Sequence, residues 1–314
     1  MKKCLVLLLA LALGFSGCSA QTESSSSQAE VTSTAPAETT VPETTTPEVT
    51  MLEPDSSAPE ETNSLGIHPY LQQLVEDTVE QLVTPEMSEY ERTKAAFDYM
   101  IEHTYLDEPI GLNLWQIYGG GEPIPFVEQR AISPLRFGVG MCEDYAAALT
   151  LLLRGMGLEA EYVPGLTYSE EGHLVDHAWT VVRIDGVWYH LDSQLEDNIS
   201  RHGYVRYRYF LKGDATMASS HRWGQNLMDS GLLSQEQNAE IAENYLPPSC
   251  PQDYPTPERH TLEDQPEPDL EALRAQAEEE VAAYEEEYGP LEPMQLNTTP
   301  PVFGLDGYGP ADEG

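Results

Sequence analysis

The chain of 314 residues holds 15 Lys and Arg against 54 Asp and Glu, a formal net charge of −39. A phosphate-rich partner requires a surface of the opposite sign, so this balance argues against nucleic acid.

The first residues read as a targeting segment rather than as fold. Lys2 and Lys3 form a positive start, Cys4 to Phe15 is a short apolar run, and Ser16-Gly17 puts small residues before Cys18. The run is too short for a stable membrane span. The arrangement resembles a bacterial lipoprotein signal peptide over 1–17. That implies cleavage before Cys18, lipid on its thiol, and an exported protein anchored to the bacterial cell membrane and facing outside. Phe15 stands where such signals more often carry Leu, and secretion without lipid is the alternative. Residues 18–64 are rich in Ser, Thr, Pro, Glu and Gln. Such a composition buries too little apolar surface to order itself and reads as a disordered tether.

A folded domain is expected over 65–250. Tyr70, Leu71, Leu74, Val75, Val79, Leu82 and Val83 recur at three and four, a helix face that Pro85 ends. Ser88 with Glu91 has the capping-box pattern and opens a second helix to about Thr104. Asp107 to Ile124 reads as a loop around Gly119-Gly120-Gly121, with Trp115 a core plug or a cleft wall. A short helical piece precedes Gly138. The next helix carries Tyr145, Ala146, Leu149, Leu152 and Leu153 and stops at Gly155 and Gly157. Leu158 to Val163 reads as a strand and Gly165 to about Leu174 as a polar loop. His177–Ile184 and Val187–Asp192 read as two strands joined by Asp185-Gly186, a two-residue hairpin turn. Tyr204 to Leu211 alternates like a further strand, and Ser234 to Tyr245 reads as a capped helix. Residues 251–314 form an acidic, Pro- and Glu-rich tail. In it, Leu270 to Tyr288 has the pattern of one amphipathic helix, either solvated on its charged face, packed on the domain or bound to a partner.

Cys142 follows Gly138-Val139-Gly140-Met141 and opens the Tyr145–Leu153 helix. The first turn of a helix offers unpaired N–H groups and a positive dipole end, which favour thiolate over thiol. A small core hydrophobe is the alternative for Cys142, and a disulfide with Cys250 is another. The hairpin supplies partners. If Ile184 faces Val187, then Trp179 faces Asp192, and His177 lies two residues back on the same face. His177 and Asp192 are then diagonal neighbours, about 7–8 Å apart at the backbone and closer at the side chains. A cysteine at a helix start with a register-paired His and Asp is the layout of an activated thiol. His177 would take the thiol proton and Asp192 would orient the imidazole. The Cys142 backbone N–H is one oxyanion donor, and Gln129 and Trp179 are candidates for the second.

Here the pattern resembles the transglutaminase-like core of the papain-like superfamily: Gly140-Met141-Cys142, Asp144-Tyr145-Ala146, His177-Ala178-Trp179, then Trp188-Tyr189-His190-Leu191-Asp192. The resemblance covers roughly residues 85 to 225, and Tyr209-Phe210-Leu211 and His221 are also similar to bacterial members. It implies an α+β fold with the nucleophile helix packed on an antiparallel sheet, and Cys142, His177 and Asp192 as catalytic triad. Asp192-Ser193-Gln194 departs from the usual Asp-Pro-Thr, which puts the following turn in doubt. The implied chemistry is acyl transfer through a thioester on extracellular protein, peptide or cell-wall amides. Water as acceptor makes a cysteine peptidase or amidase, and an amine acceptor makes a cross-linking transglutaminase. A catalytically silent binding module of the cell surface is the rival. No cofactor is implied. A zinc site built from His173, His177, Cys142 and Asp192 would need helical spacing where strand and loop are read, so no metal is expected.

Overall fold

The computed structural model describes residues 64–120, 123–169, 172–200, 203–263 and 266–291. The expected signal peptide, Cys18 and all but the last residue of the tether lie outside the described residues. Helices α1 (Pro69–Leu82) and α2 (Glu89–His103) follow the two apolar stripes. The Ser88–Glu91 capping box forms, each side chain taking the other residue's backbone N–H. Strand β1 (Tyr105–Leu106) comes next, then a 3-10 turn at Leu112–Leu114 and α3 (Trp115–Tyr118) within the expected loop. Trp115 is a core plug: it is buried, and its indole N–H donates to the Gln129 carbonyl at 3.2 Å.

Helix α4 (Phe126–Phe137) leads through β2 (Val139–Gly140) into α5 (Cys142–Gly155). Strand β2 pairs in parallel with β1, which pins the glycine-rich approach to Cys142. A Cβ on Gly140 would stand 2.6 Å from the Asp144 Cβ, so only glycine lets the chain turn this tightly onto the helix. From Asp144 to Leu153 every residue of α5 is buried. A helix apolar all round is one enclosed by other elements. Here β3 and β4 cover one side and α1, α2 and α4 the others.

The remaining elements are β3 (Ala160–Tyr168), β4 (Leu174–Ile184), β5 (Val187–Leu191), α6 (Ser193–Ser200), β6 (Tyr204–Val205), β7 (Phe210–Lys212), α7 (Asp214–Met217), β8 (His221–Arg222), α8 (Gly224–Met228), α9 (Gln235–Asn244), β9 (His260–Thr261) and α10 (Leu270–Tyr288). One antiparallel sheet has the order β7-β5-β4-β3-β8, and the architecture is α+β. The Asp185-Gly186 turn has both residues at positive φ, 48° and 81°, and the register runs Ile184↔Val187 through Thr180↔Leu191 without a bulge. Ala178, Val182, Ile184 and Leu191 are buried on the face toward α5.

Two expectations need correction. Strand β3 continues to Tyr168 where a polar loop was expected, because β4 starts at Leu174 and pairs with it along its full length. The alternating run Tyr204–Leu211 is broken into β6 and β7, with Tyr207 and Leu211 at positive φ. The buried Glu196 carboxylate accepts the Arg206 and Tyr209 N–H groups at 2.9 and 2.8 Å, which buckles that segment around it. The segment beyond residue 250 also packs on the domain. Strand β9 pairs with β6, Tyr254 stacks on Tyr90, and α10 buries Ala277 while Glu280 pairs with Arg136 and Arg274 with Asp107. Among the described residues no helix is long and apolar enough to cross a membrane.

Candidate active site

Cys142 is the first residue of α5, and its thiol is free and half-buried. In the first turn its backbone N–H has no intrahelical acceptor, so it points out of the helix start as a donor. The approach is fixed by Asp144, whose buried carboxylate takes the Met141 N–H at 2.7 Å and pairs with Arg130 at 2.7 Å. Burial pushes Asp144 up to about 7, against the pull of Arg130 and that N–H.

The hairpin brings His177 and Asp192 together: Nε2 of His177 lies 2.7 Å from Oδ2 of Asp192. An ionised carboxylate only accepts, so Nε2 carries the proton and Nδ1 is left for the Cys142 thiol. Burial opposes charge on His177, but Asp192 and a hydrogen bond with Cys142 raise its pKa to about 10. Burial also works against Asp192, yet its two imidazole partners hold it well below the ordinary carboxylate range.

The second imidazole is His221 on β8, fully buried, with Nε2 2.8 Å from the same Oδ2. Its Nδ1 faces the Ser220 hydroxyl at 2.8 Å. Burial lowers its pKa, so it serves as a neutral donor. The other oxygen, Oδ1, accepts the Leu195 N–H at 3.0 Å and caps α6. Ser193 is therefore the first residue of a helix, a position where proline is equally at home. Asp192-Ser193-Gln194 thus forms a capped helix start.

Neither expected side-chain oxyanion donor is available. The Gln129 amide is buried and donates to the Ile124 carbonyl. The Trp179 indole N–H donates to Nδ1 of His190 at 2.9 Å. Trp179 instead forms a wall beside the imidazole, its ring 5.9 Å from that of His177 at 25°. The Cys142 N–H remains as donor. The zinc set considered from the sequence does not gather; among the described residues the group that closes around Asp192 is His177 and His221, without Cys142 or His173. Cys142 and Cys250 are unpaired. The hold of His221 on Asp192 had no local signal, because it crosses from β8 through β3. The nearness of His190 to Trp179 follows from the hairpin register, which sets His190 opposite Val181 on the Trp179 face.

A family model described as the transglutaminase-like superfamily matches residues 76–193. No curated protein matches the chain. Among solved structures, one assigned as a cysteine protease from Cytophaga hutchinsonii is similar at 16% identity and TM-score 0.31, covering 41% of this chain and 40% of that one. A TGase is similar at 21% identity and TM-score 0.28, covering 40% and 31%. An arylamine N-acetyltransferase from Bacillus cereus with a Cys-His-Glu triad is similar at 15% identity and TM-score 0.29, covering 40% and 49%. The matched region spans less than half of each of these three chains. The segment that carries Cys142, His177 and Asp192 is thus the one that matches the transglutaminase-like superfamily model.

Proposed function

We propose that this protein is a thiol acyl-transferase of the cell surface that cleaves protein or peptide amides through a thioester on Cys142. The observation that carries the reading is the 2.7 Å contact of His177 with Asp192, beside Cys142 at the start of α5, which helps raise the imidazole pKa. His177, raised to about 10, already holds the thiol proton at Nδ1, and the Cys142 thiolate attacks the carbonyl carbon. The Cys142 N–H faces the oxyanion that forms. As the intermediate collapses, His177 returns the proton to the leaving amine and the thioester stays on Cys142. A second nucleophile then gives up its proton to His177 and releases the acyl group.

Water is the acceptor we favour, which makes the protein a cysteine peptidase or amidase. The half-buried Cys142 supports this, since a thioester open to solvent meets water first. An amine acceptor makes it a cross-linking transglutaminase. The apolar start and the Ser16-Gly17-Cys18 motif support export and a lipid anchor on Cys18. The test is intact-mass trapping of an acyl adduct on Cys142 with cell-surface peptides, repeated with a fluorescent amine. A mass gain on the native chain that is absent in His177→Ala supports the enzyme. Amine incorporation would shift the acceptor to transglutamination. No adduct with any peptide pool, together with ligand binding unchanged in Cys142→Ala, favours the binding module.

A further inference from the structure

A second hydrogen-bonded line lies behind the triad on the same face of the hairpin. The Trp179 N–H donates to Nδ1 of His190, and Nε2 of His190 donates to Oδ1 of Asp214 at 3.0 Å. Oδ2 of Asp214 accepts the Ser249 hydroxyl at 2.8 Å and the Cys250 N–H at 3.0 Å, and the Asp214 N–H closes on the Cys250 carbonyl at 2.7 Å. The far end of the line is thus tied to the chain by three bonds. At the near end the indole packs beside His177 and stands edge-on to His221 with ring centres 4.8 Å apart. It lies tight on β3: a Cβ on Gly165, which pairs with His177, would be 2.6 Å from Cη2 of Trp179.

The protons in this line have one consistent arrangement. An indole N–H only donates, so Nδ1 of His190 must be bare; the Asp214 carboxylate only accepts, so Nε2 must carry the proton. Asp214 does for His190 what Asp192 does for His177. Trp223 and the ring of His190 also pack against the indole, with ring centres 5.8 and 6.2 Å from it. Neither His190 nor Asp214 hydrogen-bonds any member of the triad.

We propose that Trp179, His190 and Asp214 form a positioning relay that fixes the indole wall and so holds the His177 ring toward Cys142. The inference rests on the activated-thiol reading given above. It is tested on the mature chain by the rate at which iodoacetamide alkylates Cys142, followed by intact mass across pH. The informative region is about pH 6, where an unassisted thiol is almost wholly protonated.

His190→Gln carries its amide at the Nε2 position and leaves the indole N–H unpaired. Trp179→Phe removes the N–H itself. Both are expected to lower the rate at about pH 6 by about fivefold, the equivalent of one neutral hydrogen bond, and to leave the rate near pH 9 unchanged. His190→Asn puts its carbonyl oxygen where Nδ1 was and should restore most of the loss, although it gives up the Asp214 contact. Labelling of the buried Cys250 reports any variant that unfolds, and the His190→Asn comparison then stands on the folded fraction. Profiles for His190→Gln and Trp179→Phe that superimpose on the native one, while His177→Ala is slowed, overturn the relay alone. So does an Asn variant slower than the Gln variant. A His177→Ala profile identical to the native one overturns the activated-thiol reading and the relay with it.

Discussion

Two clusters on one hairpin each join a histidine, an aspartate and a cysteine, and only one has the surroundings of a nucleophile. Around Asp192 the histidine side leads to Cys142, a half-buried thiol at the start of α5 that helps raise the His177 pKa. Around Asp214 the histidine is turned toward Trp179, and the nearby thiol is Cys250, wholly buried in the extended Pro247–Pro251 exit. Burial and the Asp214 carboxylate push the Cys250 thiol up, so it keeps its proton. Its sulfur faces the Pro248 carbonyl at 3.8 Å and lies within 4.8 Å of ligand atoms of His190 and Asp214. Residue types are the same in the two clusters, and the His–Asp distances are 2.7 and 3.0 Å. What differs is whether the other histidine nitrogen faces a thiol or an indole N–H, and whether the thiol sits at a helix start or buried beside a carboxylate.

The sharpest break of this comparison is to delete each thiol in turn. Cys142→Ala is expected to lower amide turnover by about 10⁴-fold or more, as removal of a nucleophile does in triads that act as a unit. Release of product from a peptide amide measures it, and residual turnover within tenfold of native would remove Cys142 from the chemistry. Next is Asp192→Asn. With no carboxylate to hold Nε2–H, His177 can present the wrong tautomer, and a loss of about 10³- to 10⁴-fold in kcat is expected with the fold retained. Circular dichroism and kcat together check it; a mild effect would remove Asp192 from the orientation of the ring.

The pH dependence of stability follows in size. His177 is raised above its unfolded value of 6.5 to about 10, so its contribution is complete below 6.5 and drains as pH rises toward 10. Asp192 is lowered from 3.8, so its contribution is complete above that value and drains as pH falls below it. The two describe one ion pair, whose stabilisation is widest between about pH 4 and 6.5. The melting temperature should form a plateau there, and His177→Gln should flatten the alkaline limb. An alkaline limb unchanged in that variant would assign it to other groups. The smallest effect is expected at the second thiol. Cys250→Ala should cost about 1–2 kcal/mol of stability through the cavity it leaves. Turnover and the Cys142 alkylation rate should stay within about twofold of native, since the Cys250 side chain is not part of the line through Asp214.

What the sequence determined by itself is everything written in local rules. The Ser88 and Ser234 caps, the stripe of α1 and the Asp185-Gly186 turn depend on residues within one or two turns of each other, and each forms where its pattern stands. Because an unbulged hairpin converts numbering into position, the same locality carried His177 to Asp192. The tertiary structure alone decided the rest. His221 reaches Asp192 from 29 residues away across another strand, and Glu196 folds the Tyr204–Leu211 run around its carboxylate. The fates of Gln129 and Trp179 were settled by partners, Ile124 and His190, that compete for their N–H groups. Likewise α10 has an acidic face suited to solvent, yet Arg136 and Arg274 draw it onto the domain. A buried polar group must find a partner, and which one it finds depends on the packing of segments far apart in the chain.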